Sequence, residues 1–134
     1  MKVTDLFESK TRAPGEYVYH SAYFPKLGYS LKSIRSKGLL PSKDGYSGPG
    51  VYFAYDIDGT YDHVDKDEAT TFRAKWSDLV RLFGEYPKNP NGIQRTDDEL
   101  IIPGPIPSKF LEVQYFDNEW WDIESAISAE QYTG

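Results

Sequence analysis

The chain contains no cysteine, one methionine and two histidines among its 134 residues. Disulfides, iron–sulfur clusters, thiolate zinc sites and a thiol nucleophile are therefore excluded, and the absence fits a reducing compartment. With His20 and His63 as the imidazoles and no HExxH motif, a metal centre is not expected. No apolar run approaches the ~20 residues that cross a bilayer, and Met1 to Ala13 interleaves Lys2, Asp5, Glu8, Lys10 and Arg12 where a signal peptide would be apolar. Soluble, cytoplasmic residence without membrane contact is the expectation. Neither GxxxxGK(S/T), GxGxxG nor GxSxG occurs, so a phosphate loop, a doubly wound dinucleotide fingerprint and a nucleophile elbow are missing.

What is present is aromatic. Eleven Tyr, seven Phe and three Trp in a chain that is 39% hydrophobic supply the core of a single domain spanning 1–134. No repeat or linker divides it, although PKNPNG and PGPIP punctuate it strongly. The formal charge of −6 is carried by one end: Met1 to Lys109 holds 15 acids and 15 bases, and Phe110 to Gly134 holds six acids and no base. Such a run is most often a solvated face, and its sharper reading is a docking face for a basic partner. Without a basic stripe, nucleic acid is a disfavoured partner. The acidic stretch Asp56 to Glu68 lacks the spacing of a calcium loop and reads as solvated.

Pattern and punctuation predict an α+β order. Glu16 to Phe24 reads as a buried strand bearing His20 near its end. Ser30 is placed to cap a helix from Leu31 to Lys37, stopped by Gly38. Strands follow at Gly50 to Tyr55 and Thr70 to Trp76; Ser77 opens a second helix ended by Gly84. Glu99 to Ile102 and Phe110 to Phe116 return to strand, and Trp120 to Gln131 reads as a terminal helix.

Five pieces then fall in order: YHSAY around His20, SLKSIRSKGLLP, GPGVYFAY with Tyr52, a polar segment holding Tyr61, and DDELIIPGPIP with Glu99. From about Tyr19 to Val113 this series resembles the ADP-ribosyltransferase superfamily, and within it the His-Tyr-Glu branch of diphtheria toxin and the poly(ADP-ribose) polymerases. The resemblance implies two packed, mainly antiparallel β-sheets with short peripheral helices, an NAD cleft between them, NAD as co-substrate, and no metal. It implies that Glu99 is catalytic and that Tyr52 and Tyr61 sandwich nicotinamide. By the same resemblance His20 donates a hydrogen bond to the adenosine ribose. The backbone of Ser21, which stands where glycine is more usual, meets the nicotinamide amide. Asp97 lies two before Glu99, where relatives that modify arginine or asparagine carry Glu or Gln, and leaves the acceptor open.

These residue types suit the chemistry. Breaking the nicotinamide–ribose bond generates a ribosyl cation, which a carboxylate stabilises while holding the 2′-hydroxyl. Aromatic faces hold a flat ring at about 0.5–1.5 kcal/mol each. The expected function is transfer of one ADP-ribose from NAD to a side chain of a partner protein, in the manner of a toxin or phage effector acting in a cytoplasm, a host's included. NAD hydrolysis is an alternative. So is a nucleic-acid ADP-ribosyltransferase, since ELIIPGPIPSKFLEV also resembles relatives that modify DNA bases. A tRNA 2′-phosphotransferase ranks third, because Arg12, Arg35, Arg73, Arg81 and Arg95 form no cluster in sequence. From a different class comes a non-catalytic binding or inhibitor protein docking through its acidic end.

Overall fold

In a computed structural model that describes residues 13–42, 49–62, 64–115 and 118–133, aromatic and β-branched runs form strands and short apolar stripes form helices. In chain order these are β1 (Tyr17–Tyr23), α1 (Leu27–Lys37), β2 (Val51–Ala54), a 3-10 turn (Asp58–Asp62), β3 (Ala69–Lys75) and α2 (Trp76–Phe83). They continue with β4 (Gln94–Arg95), β5 (Glu99–Ile102), a second 3-10 turn (Ser108–Phe110), β6 (Leu111–Tyr115), β7 (Glu119–Asp122) and α3 (Ile123–Thr133). The described strands make one open antiparallel sheet ordered β4-β5-β2-β1-β3-β6-β7.

The α+β class is as expected, but one sheet is found where two packed sheets were anticipated. β1 pairs with β3 along its whole length, from Tyr17↔Lys75 to Tyr23↔Ala69, yet meets β2 at the single pair Tyr19↔Ala54. That one pair keeps the sheet continuous and leaves a seam. Register puts Val18, Phe72, Ala74, Leu111 and Val113 on one face. There they join Leu31 and Ile34 of α1 and Ile123, Ala126 and Ile127 of α3 in one buried core, each large side chain contributing about 1.5–3 kcal/mol. Helices therefore supply the second layer. The other face shields itself with long side chains: the Arg73 guanidinium lies 3.9 Å from the Tyr17 ring centre and 4.5 Å from that of Trp120. Its Nε donates to Glu112 at 2.8 Å.

Helix starts differ from the sequence reading. Leu27, Leu31 and Ile34 share one stripe and pack on the core, so α1 begins at Leu27 and Ser30 lies inside it. Trp76 likewise draws α2 back by two residues, so that Ser77, read as its cap, lies in its first turn. The stops at Gly38 (φ 80°) and Gly84 (φ 70°) are as read. Trp120 belongs to β7, not to a helix: Asn118 at φ 62° turns the chain, and α3 starts only where Asp122 Oδ1 accepts the Ser125 N–H at 2.8 Å.

Four acids of the acidic end have partners within the fold. Glu112 holds Arg73, Glu124 lies 3.6 Å from Arg35, Glu130 accepts the Tyr115 hydroxyl at 2.7 Å, and Asp122 caps α3. Among the described residues no helix is long and apolar enough to cross a membrane.

Candidate active site

Past Tyr19↔Ala54 the strands β1 and β2 part, and His20 bridges the opening. Its Nδ1–H donates to the Tyr52 carbonyl at 2.7 Å, and its ring lies 5.5 Å from that of Phe53. Because a carbonyl only accepts, Nδ1 carries the proton and Nε2 is left as an acceptor. Burial lowers the pKa of His20 below its ordinary value, outweighing the opposite effect of the bond to Tyr52, so the ring is held neutral. A neutral ring with Nδ1 committed to Tyr52 offers a lone pair at Nε2. The strand itself is less buried than expected, with Val18 alone fully enclosed.

Two compartments open on either side of this bridge, and His20 and Tyr52 line both. The larger, about 430 Å³, lies against α1 and is bounded by Phe24, Tyr29, Ser33 and Leu39. The smaller, about 200 Å³, is bounded by Tyr19, Ser21, Ala54, Thr60 and Glu99. Glu99 and His20, far apart in the chain, thus face one cavity. Glu99 is half-buried at the head of β5, opposite Ala54, rather than desolvated. Its backbone is fixed by Thr96, whose Oγ1 accepts the Glu99 N–H at 2.9 Å and whose N–H donates to the Glu99 carbonyl at 2.8 Å. Tyr55 ties this turn to the end of β2 through its hydroxyl, 2.7 Å from the Thr96 carbonyl.

A chain of hydroxyls starts in the wall of the smaller compartment, at Thr60 and Ser21, and runs on behind it. Thr60 Oγ1 donates to the Ile57 carbonyl at 2.6 Å, so it accepts from Ser21 Oγ at 2.7 Å. With its proton committed, Ser21 Oγ accepts from Thr71 Oγ1 at 2.7 Å, which in turn meets the Tyr61 hydroxyl at 3.4 Å. Thr60 and Thr71 are the buried polar side chains of the described core, 8% and 3% exposed. The chain ties the 3-10 turn to β1 and β3.

Of the residues anticipated from sequence, His20, Ser21, Tyr52 and Glu99 meet in the smaller compartment. Tyr61 is not among the residues lining either one. Its hydroxyl is turned to Thr71, and Lys66 Nζ lies 5.8 Å from its ring centre. Asp97 is exposed in the turn ahead of Glu99, and His63 lies outside the described residues. Sequence reasoning missed Tyr19, Thr60 and Thr71. Tyr19 was legible, because it stands two residues before Ser21 and shares its side of the strand. The Gly59–Thr60 turn carried a weaker signal, Asp56 followed by Gly59, whose N–H it binds at 2.8 Å. Comparison with protein-family models, with curated proteins and with solved structures returned no match.

Proposed function

We propose that the groove binds NAD and that the protein transfers one ADP-ribose from it to a side chain of a partner protein. The observation that supports this reading is the meeting of His20, Tyr52 and Glu99 at one cavity. The two adjoining compartments suit a dinucleotide in kind: the larger, about 430 Å³, falls within the ~300–1,000 Å³ typical of small-molecule sites, and the smaller, about 200 Å³, adds Ser21, Thr60 and Glu99 beside it.

In this reading the smaller compartment takes nicotinamide and its ribose, and the larger takes adenosine. Tyr52 supplies one stacking face and Tyr19 a second aromatic wall. Tyr61 acts at one remove, through Thr71 and Ser21. The bond between the nicotinamide nitrogen and ribose C1′ breaks, and its electron pair leaves with nicotinamide, which becomes neutral. The Glu99 carboxylate stabilises the cation left on the ribose and holds its 2′-hydroxyl. His20 Nε2 accepts a hydrogen bond from a hydroxyl of the far ribose. The acceptor side chain then bonds to C1′ and loses its proton to solvent.

The test is incubation with adenine-labelled NAD and a cell lysate, following nicotinamide release and label on protein. Label on protein that disappears in Glu99→Gln is the expected result. Free ADP-ribose without labelled macromolecule would replace transfer by hydrolysis, and background values of both would refute the NAD reading.

A further inference from the structure

We infer that a second pocket, sharing a wall with the larger compartment, binds a phosphate group. It encloses about 310 Å³ and is lined by Arg35, Ser36, Lys37 and Gly38 at the end of α1 and by Ser108 and Lys109 of the second 3-10 turn. Among the described residues no acid lines it, in a chain of net charge −6. Cations in the last turn of a helix answer its dipole, which accounts for Arg35 and Lys37. It does not account for Lys109, which a distant segment brings to the same pocket.

The two segments are clamped together. Leu39 N–H donates to the Ile106 carbonyl at 2.8 Å, and Ile106 N–H returns a bond to the Leu39 carbonyl at 3.0 Å. Gly38 permits the approach, because a Cβ there would stand 2.6 Å from the Ile106 oxygen. The cations are therefore carried on main chain that is already in position. Arg35 is only loosely held by Glu124, at 3.6 Å with both side chains substantially exposed. Such a pair is worth about 0–1 kcal/mol. A guanidinium grips phosphate oxygens in pairs, ammonium groups add point charge, and the two serine hydroxyls are further donors. Arg35, which belongs to no arginine cluster along the chain, is thus joined by Lys109 through folding.

Gly38 lines both this pocket and the larger compartment, so the wall in common has no side chain. The phosphate site stands without the NAD reading, whereas its ligand's identity rests on it. If adenosine occupies the larger compartment, a phosphate on that adenosine, as in the 2′-phosphorylated dinucleotide NADP, is one source. A phosphate of a separate ligand is the other.

The experiment is a titration of the ¹⁵N-labelled full chain with inorganic phosphate at low salt, followed by NADP and NAD. The amides of residues 35–38 and 106–109 are expected to shift saturably. Affinity should fall at least about tenfold in Arg35→Ala/Lys109→Ala and in the single Lys37→Glu, and hold in the control Lys75→Ala. All these positions but the control line the pocket and are exposed, and the same spectra report whether each variant is folded. Equal shifts with chloride at matched ionic strength, or unchanged affinity in the folded variants, would overturn the site. Preference for NADP over NAD that vanishes in the double variant assigns the phosphate to the dinucleotide. Equal affinities, with phosphate still bound, assign it to a separate ligand. Phosphate binding in a protein that ignores both dinucleotides would remove the NAD reading and leave the site standing.

Discussion

Replacing Ser21 with alanine removes one oxygen from the middle of the hydroxyl chain and leaves its neighbours in place. Ser21 Oγ makes two bonds, to Thr60 and Thr71. Thr60 keeps its bond to Ile57, but Thr71, 3% exposed, loses the acceptor of its proton. Losing the bond to Thr60, worth about 0.5–1.5 kcal/mol net, and stranding the buried Thr71 donor at about 1–3 kcal/mol, gives a cost of roughly 1.5–4.5 kcal/mol. The chain stays folded, because a domain has about 5–15 kcal/mol to lose. At about 4 °C per kcal/mol, the midpoint of thermal unfolding should fall by roughly 6–18 °C. Urea unfolding followed by the fluorescence of the three tryptophans measures it, with the denaturant slope unchanged. Adding Thr71→Val takes away the stranded hydroxyl, so the double variant should cost about 1–2 kcal/mol less than the sum of the singles. A cost for Ser21→Ala below about 0.5 kcal/mol, or strict additivity, would refute the directed chain.

Glu99→Gln should lower nicotinamide release from NAD by about a hundredfold or more while leaving the unfolding midpoint and NAD affinity near wild type, and undiminished turnover would exonerate the carboxylate. His20 is neutral in the fold and its pKa lies below the ordinary 6.5. The unfolded chain therefore binds its proton first, and the stability this contributes is full above 6.5 and lost as pH falls toward the lowered value. Urea midpoints between pH 7.5 and 5.5 should fall for wild type and fall less for His20→Asn; parallel curves would show that His20 does not titrate abnormally. Gly38→Ala forces a side chain to φ 80° and a Cβ to 2.6 Å from the Ile106 carbonyl. It should destabilise by at least about 1–2 kcal/mol and weaken phosphate binding, and a silent substitution would show that the clamp is not tight.

Much of this was legible in the chain because it is decided locally. The run Glu99–Ile102 is flanked by acids and a proline and became β5 with those bounds, and Gly38 and Gly84 stop helices because only they relieve a left-handed residue. Helix starts were misread where a serine suggested a cap but an apolar side chain one turn earlier packed on the core, as Leu27 does. Trp120 was misread because a hairpin turned by Asn118 lacks the usual glycine signal. The site divides the same way. His20, Tyr52 and Glu99 could be singled out by type and order, whereas the part played by Thr60, in an acidic stretch that reads as solvent-facing, is set by the Ser21 hydroxyl on β1. The tautomer of His20 depends on where Tyr52 places its carbonyl, and the seam on how far two strands stay paired; neither is a local property.

The most direct test of the groove is a crystal structure of Glu99→Gln grown with NAD, the substitution slowing cleavage. The account predicts one dinucleotide spanning both compartments past the His20–Tyr52 bridge, with nicotinamide against Tyr52 and ribose C1′ within about 3–3.5 Å of the residue 99 side chain. A dinucleotide bound elsewhere on the molecule, or an empty groove at millimolar NAD, would contradict it.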